Sequence, residues 1–184
     1  MSLVNQWRSR LAALPDVLLF GKFPIQVQTV FHATNTSFAF TNLKPVIPGH
    51  VLVSPHRVVP RLADLTDEET ADLFLCASTV GKAVLAAHPH ADSLTVTIQD
   101  GRSAGQTVPH VHIHVMPRWS TDRFNTARAG NDAVYEAIDK SEDGMCKKLT
   151  KVDEDFDGKA RTHEEMISEG KELRVFVEHL IASQ

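Results

Sequence analysis

Between residues 106 and 118 the chain reads Gln-Thr-Val-Pro-His-Val-His-Ile-His-Val-Met-Pro-Arg, and from His110 to Val115 imidazole and branched aliphatic side chains alternate without a break. Successive side chains of a β-strand point to opposite faces, so this period of two is a strand pattern and not a helical one. Val111, Ile113 and Val115 then share the face that packs against another layer, while His110, His112 and His114 share the face that looks toward a cleft.

The remaining elements frame that strand. Residues 3–14 place Leu3, Trp7, Leu11 and Leu14 near one helical face before Pro15. "FPIQVQTVFHAT" and "SFAFTN" read as two strands joined by a Thr34-Asn35-Thr36 turn, and the proline-braced "KPVIPG" leads into a third, "HVLVSP". Residues 64–88 form the clearest helix. Thr66 or Asp67 caps it, acidic residues fill its first turn, Leu73, Ala77, Val80 and Val84 form its apolar stripe, and Pro89 stops it. "SLTVTIQD" alternates and pairs with "TVPHVHIHVMP" across a long glycine-bearing loop, "DGRSAGQ". Residues 131–139 make one short helix, residues 140–160 are a polar surface insertion, and Thr162 with Glu165 forms a capping box that opens a closing helix. Strands joined by short loops, with helices set apart, predict an α+β fold on a mainly antiparallel sheet of about five strands. Residues 1–17 read as an N-terminal extension and 18–184 as a single domain.

Composition narrows the function. With 184 residues, 42% of them hydrophobic, the chain can bury a core, and a net charge of -4 with no basic block argues against binding a nucleic acid polymer. Cys76 and Cys146 are far apart and form no zinc or redox pattern, which fits a reducing compartment. No apolar run approaches the roughly 20 residues a membrane helix needs. The first twenty residues lack the apolar stretch and cleavage site of a secretory signal, so the expected location is the cytoplasm, with the nucleus open as well.

Three readings of the histidines compete: buried polar residues satisfied by the backbone, a metal site, or nucleophilic catalysis. Zinc accepts imidazole nitrogens, but strand geometry sets the outer two histidines about 13 Å apart, too far for one ion without a sharp bend. Imidazole is also a nitrogen nucleophile that is neutral near pH 7, and His112, flanked along its own face, is the natural candidate. Gly101 and Gly105 free the approaching loop to come close to a ligand, and Gln106 and Thr107 add neutral donors suited to a phosphate that must later leave.

The run His110-Val111-His112-Ile113-His114-Val115-Met116 resembles the His-φ-His-φ-His-φ-φ signature of the histidine triad superfamily. "SFAFTNLKPVIPGHVLVSP", "SLTVTIQDGRSAGQTVPHVHIHVMPR", "NDAVYE" and "EEM…LRVFV" resemble its fragile histidine triad branch, the dinucleoside polyphosphate hydrolases of bis(adenosyl)-triphosphatase type, over roughly residues 18–137 and 161–177. The resemblance implies the histidine triad fold, a homodimer, and hydrolysis of a dinucleoside polyphosphate to AMP and a second nucleotide through a nucleotidyl-histidine. No metal is required, Mg²⁺ being an accessory on the substrate phosphates. His112 then resembles the nucleophile, His114 the donor to the α-phosphate, His110 its support and His50 the bracing fourth histidine. Asn42 resembles the ribose contact, Phe20 and Leu52 the walls of the adenine pocket, and Gln99 with Gly105-Gln106-Thr107-Val108 the phosphate and leaving-group contacts. On the residues alone, Phe20 and Leu52 also read as core, Asn42 as serving only its own turn, and Gln99 as a hairpin cap. Pro109 departs from the branch by removing a ladder donor before the triad, which bends the strand or leaves it at an edge. Phe23 stands where a polar residue can occur in relatives. "HPH" at 88–90 mimics the transferase signature but lacks its following glutamine, and no Trp-Pro-Pro-Gly run supports a phosphoramidase. The alternatives are a nucleoside phosphoramidase of the same superfamily and a nucleotide-binding signalling module with slow turnover.

Overall fold

The triad segment feeds an inner strand of a five-stranded antiparallel sheet. The computed structural model describes residues 1–124, 133–146 and 160–183, with residues 141–146 by their backbone alone. In chain order these hold α1 (Leu3–Ala12), β1 (Val17–Phe20), β2 (Phe23–Gln26), β3 (Val30–Ala33), β4 (Ser37–Thr41), β5 (Val51–Pro55), α2 (Asp67–Ala87), β6 (Ser93–Thr97), β7 (Ile113–Arg118), α3 (Ala133–Cys146) and α4 (His163–Ala182). Strands β3 to β7 lie in the order β3-β4-β5-β7-β6, every pairing antiparallel, and β1 with β2 makes a separate hairpin. The α+β architecture expected from the sequence is the one found.

The aliphatic half of the alternation builds the main core. Ile113 and Val115 on β7 and Val51 and Val53 on β5 pack against Leu73, Val80 and Val84 of α2 and Leu173 and Val177 of α4. Each of these side chains, fully buried, contributes about 1.5–3 kcal/mol. On the histidine face, Phe20, Val30, Phe38, Phe40, Leu52 and Val108 form a second cluster, and α3 closes a third over Ile47 and Met116 with Val134 and Ile138. Thr66 and Glu69 complete a capping box on α2, and Thr162 and Glu165 complete one on α4. Asp72 of α2 accepts bonds from the Thr34 and Thr36 hydroxyls at 2.5 and 2.8 Å, which ties the helix to the predicted turn between β3 and β4.

Several boundaries differ from the sequence reading. "FPIQVQTVFHAT" is not one strand: a 3₁₀ turn at Val27–Thr29 splits it, held by the Thr29 hydroxyl on the Gln26 carbonyl at 2.8 Å. Val17–Phe20, unread as a strand, pairs with Phe23–Gln26 across a turn in which Gly21 takes φ 59°. The first helix ends at Ala12. Trp7 is buried and its indole N–H donates to His32 Nδ1 at 3.0 Å, while Leu3 stays exposed. The helix expected to end at residue 139 runs on to Cys146, through the start of the stretch read as an insertion. The rest of that stretch, 147–159, lies outside the described residues. Helix α2 is long and apolar enough to cross a membrane by length and composition, against the expectation that no run came close. Its stripe packs on the sheet, which is where the core helix of an α+β domain belongs.

Candidate active site

Pro109 decides how the histidines are presented. The proline fixes φ and supplies no N–H, and the His110 N–H turns back to the Val108 carbonyl at 2.8 Å in a three-residue turn. The Val111 N–H goes to Val59 at 2.8 Å, outside the sheet ladder. The strand therefore starts at Ile113, and only His114 belongs to it. The expectation of three histidines on one face of a straight strand is corrected in this way: His110 and His112 are carried by irregular chain. Their rings nevertheless form one buried row with His114. Phe20 lies 5.7 Å from the His110 ring and 4.9 Å, edge on, from His112; His112 lies 4.8 Å from His114, and His114 5.2 Å from His50.

Hydrogen bonds set the tautomer of each ring. His50 follows a turn closed by its own N–H on the Ile47 carbonyl at 3.1 Å, with Pro48 and Gly49 (φ 80°) at the two central positions of a type II turn. A side chain on Gly49 would meet the His88 ring at 2.5 Å and Pro117 at 2.9 Å, so glycine is required there for space as well as for φ. His50 Nδ1 accepts the Val46 N–H at 3.2 Å, so its proton is on Nε2, which donates to His114 Nδ1 at 3.0 Å. His114 then carries its own proton on Nε2. His112 Nδ1 donates to the His110 carbonyl at 2.7 Å, which leaves His112 Nε2 as a lone pair. His110 Nδ1 accepts the Gly21 N–H at 3.0 Å. One nucleophilic nitrogen and one N–H donor thus sit on adjacent rings, which suits attack on an electrophile bearing an anionic oxygen. Among the described residues no three His, Cys, Asp or Glu side chains are placed to hold a metal ion.

The other expected residues fall around this row. Phe20 and Leu52 are both buried, with Leu52 paired to His114 across the β5–β7 ladder. Asn42 is buried beside His50, its Nδ2 3.4 Å from either ring nitrogen, while its Oδ1 accepts the Lys44 N–H at 3.0 Å. The turn-serving role weighed for asparagine is therefore occupied. Gln106 is engaged at both ends of its amide: Oε1 accepts the Gly101 N–H at 2.8 Å and Nε2 donates to the Pro60 carbonyl at 2.9 Å. It shapes the loop, and Thr107 lines the adjacent cavity. Gly105 takes φ 91°, and a Cβ there would meet Asp139 Oδ1 and Gln99 Nε2, each at 2.5 Å. Gln99 donates to Asp139 of α3, a residue the sequence offered no spacing or motif to find. Val108 is buried against Gly21. His88 packs against Gly49, its Nδ1 2.9 Å from the Val84 carbonyl, and His90 lies against Trp119 at 4.5 Å.

Burial holds His110 neutral: it and, more weakly, the neighbouring His112 lower its pKa to about 4. Burial, with Arg10 nearby, lowers His32 to about 4 as well. Both groups bind a proton near pH 6.5 when unfolded and near 4 when folded, so the unfolded chain holds more protons between those values. Their contribution is complete above pH 6.5 and is lost as pH falls to 4, up to about 3 kcal/mol for each. Urea unfolding at pH 7, 6, 5 and 4.5 should show stability falling, less steeply in His32→Gln. An unchanged midpoint across the series would show that neither histidine is held neutral.

Comparison with known proteins gives the same direction. A family model described as the HIT domain matches residues 25–121. The Arabidopsis thaliana bifunctional bis(5'-adenosyl)-triphosphatase/adenylylsulfatase FHIT is 47% identical over 155 residues, covering 84% of this chain and 81% of the relative. The Schizosaccharomyces pombe asymmetrical bis(5'-nucleosyl)-tetraphosphatase is 44% identical over 148 residues, 80% of this chain and 78% of the relative. Among solved structures, the Caenorhabditis elegans NitFhit protein superposes with a TM-score of 0.67 at 39% identity, covering 89% of this chain but 31% of that longer one.

Proposed function

The chain belongs to the HIT domain family, and with that as premise we propose that it hydrolyses dinucleoside polyphosphates at the α-phosphorus, releasing AMP and a second nucleotide. One observation carries the mechanism: the bond from His112 Nδ1 to the His110 carbonyl places the ring proton on Nδ1 and makes Nε2 the unprotonated nitrogen of a buried ring. Nε2 attacks the α-phosphorus, a phosphorus–nitrogen bond forms, and the bridging oxygen leaves with the second nucleotide. The imidazolium so formed keeps Nδ1–H on the His110 carbonyl. Water then attacks the same phosphorus, the phosphorus–nitrogen bond breaks, its electron pair returns to Nε2, and the water proton is released. His114 donates from Nε2 to the α-phosphate oxygen, held in that tautomer by His50. The protein holds no metal of its own in this scheme; Mg²⁺ rides on the substrate phosphates.

Diadenosine tetraphosphate tests where the attack falls. Cleavage beside an α-phosphorus gives AMP and ATP in equal amounts by chromatography, whereas cleavage at the middle gives two ADP, and in water enriched in heavy oxygen attack at the α-phosphorus puts the label in AMP and not in ATP. Exclusive turnover of an adenosine phosphoramidate, with neither diadenosine compound cleaved, would transfer the chain to the phosphoramidase alternative.

The homodimer remains part of the same proposal. Strand β6 is an outer strand of the five-stranded sheet, with Val96 exposed, and α2 exposes Phe74 and Leu75. Apolar side chains on a sheet edge and on a helix invite a partner, and a second copy offers the same surfaces by two-fold symmetry. Light scattering at micromolar concentration should give twice the 20.3 kDa chain mass; a single chain mass would refute the dimer.

A further inference from the structure

Beside the triad loop lies a cavity of about 660 Å³, lined among others by Arg61, Arg102, Gln106, Thr107, Pro109 and Asp139. Pro109 directly precedes His110, whose carbonyl orients the nucleophile, so the cavity opens at the loop that carries the chemistry. Its volume suits a nucleotide-sized ligand. The charges around it are committed, with one exception. Arg61 is paired with Asp100 through two bonds of 3.1 Å, and Asp100 also accepts the Leu62 N–H at 2.8 Å. Asp139 accepts the Gln99 amide. Arg102 is exposed and, among the described residues, its guanidinium makes no hydrogen bond or ion pair. It stands on a 3₁₀ turn, Arg102–Ala104, pinned between Gly101 (φ 102°) and Gly105 (φ 91°). That turn is closed from behind by the Gln106 amide on the Gly101 N–H.

We infer that Arg102 is a specificity-determining residue which takes up the phosphates of the leaving nucleotide, those beyond the attacked phosphorus. The inference rests on the dinucleoside polyphosphate reading and deepens it. A guanidinium matches the paired oxygens of a phosphate in a way a lone ammonium does not, and an uncommitted cation at a cavity mouth has no ion pair to break before it binds. The carboxylate of Asp139 on the same cavity disfavours a polyanion, so the cation is what admits one. Arg102 does not touch the attacked phosphorus, so its contribution appears in the KM of substrates with a phosphorylated leaving group and leaves kcat close to its starting value.

The test compares two substrates that share the attacked phosphate. Diadenosine triphosphate leaves as ADP, whereas the p-nitrophenyl ester of AMP leaves as an aryl oxide without distal phosphates. In Arg102→Ala, kcat/KM on diadenosine triphosphate should fall about tenfold, through KM, and in Arg102→Glu about a hundredfold. Both variants should hold the ester within twofold, and Arg102→Lys should recover part of the loss. An equal loss on both substrates, or no loss on diadenosine triphosphate, overturns the inference while the hydrolase reading stands. A wild-type protein that cleaves the ester and no diadenosine compound overturns that reading, and this inference with it.

Discussion

His112→Asn should lower turnover of diadenosine triphosphate by at least about a thousandfold while nucleotide binding stays within severalfold of the wild type. Asparagine keeps a polar group near the His110 carbonyl, the acceptor of the 2.7 Å bond, and can still donate to it. It has no lone-pair nitrogen equivalent to Nε2, so the covalent route is closed and what remains is donor stabilisation and positioning. The neighbouring rings of His110, His114 and His50 hold their own bonds through Gly21 and Val46 and do not depend on His112 for their tautomers. Single-turnover kinetics gives the first quantity and calorimetric titration of a nucleotide the second. A variant within tenfold of the wild type would mean that His112 is a support and that water attacks directly.

His50→Leu should show the second largest loss, about a hundredfold in kcat, comparable to removing one well-placed oxyanion donor elsewhere. Leucine approximates the volume but cannot donate to His114 Nδ1, so His114 is free to move its proton to Nδ1 and present a lone pair where the phosphate oxygen needs a donor. It also leaves the buried Val46 N–H without its acceptor, which costs about 1–3 kcal/mol of stability. The tautomer effect is separable from that cost: His50→Gln keeps a donor and an acceptor and should recover a measurable part of kcat. A His50→Leu variant with wild-type kcat and lowered thermal stability alone would reduce His50 to a structural residue.

Much of the fold was legible because it is written in local patterns. The period of two in "VHIHV" placed Ile113 and Val115 against α2, and the capping box of α4 followed from a threonine three residues ahead of a glutamate, whereas on α2 the sequence showed only a cap at Thr66 or Asp67 and not its reciprocal bond from Glu69. What escaped depends on tertiary partners. The 3₁₀ turn at Val27–Thr29 interrupts a run whose composition is that of a continuous strand. Strand β1 reads as a strand only once its partner β2 is in place. Within the site, the triad and His50 were found, but the straight-strand geometry was not. Pro109 signalled a bend, yet a bend of unknown direction could not show that His112 would bond to the His110 carbonyl. Asp139 and Arg102 carry no pattern at all, since their significance lies in what the chain brings beside them: Gln99 for one, an unclaimed cavity for the other.

Covalent catalysis by His112 requires that a nucleotidyl-His112 forms. A diadenosine triphosphate made chiral at the α-phosphorus, with sulfur and heavy oxygen isotopes distinguishing its substituents, reports this directly. Two in-line displacements, first by His112 Nε2 and then by water, should release the labelled nucleotide with its configuration retained. Inversion would mean one displacement by water and would contradict the nucleophilic role of His112.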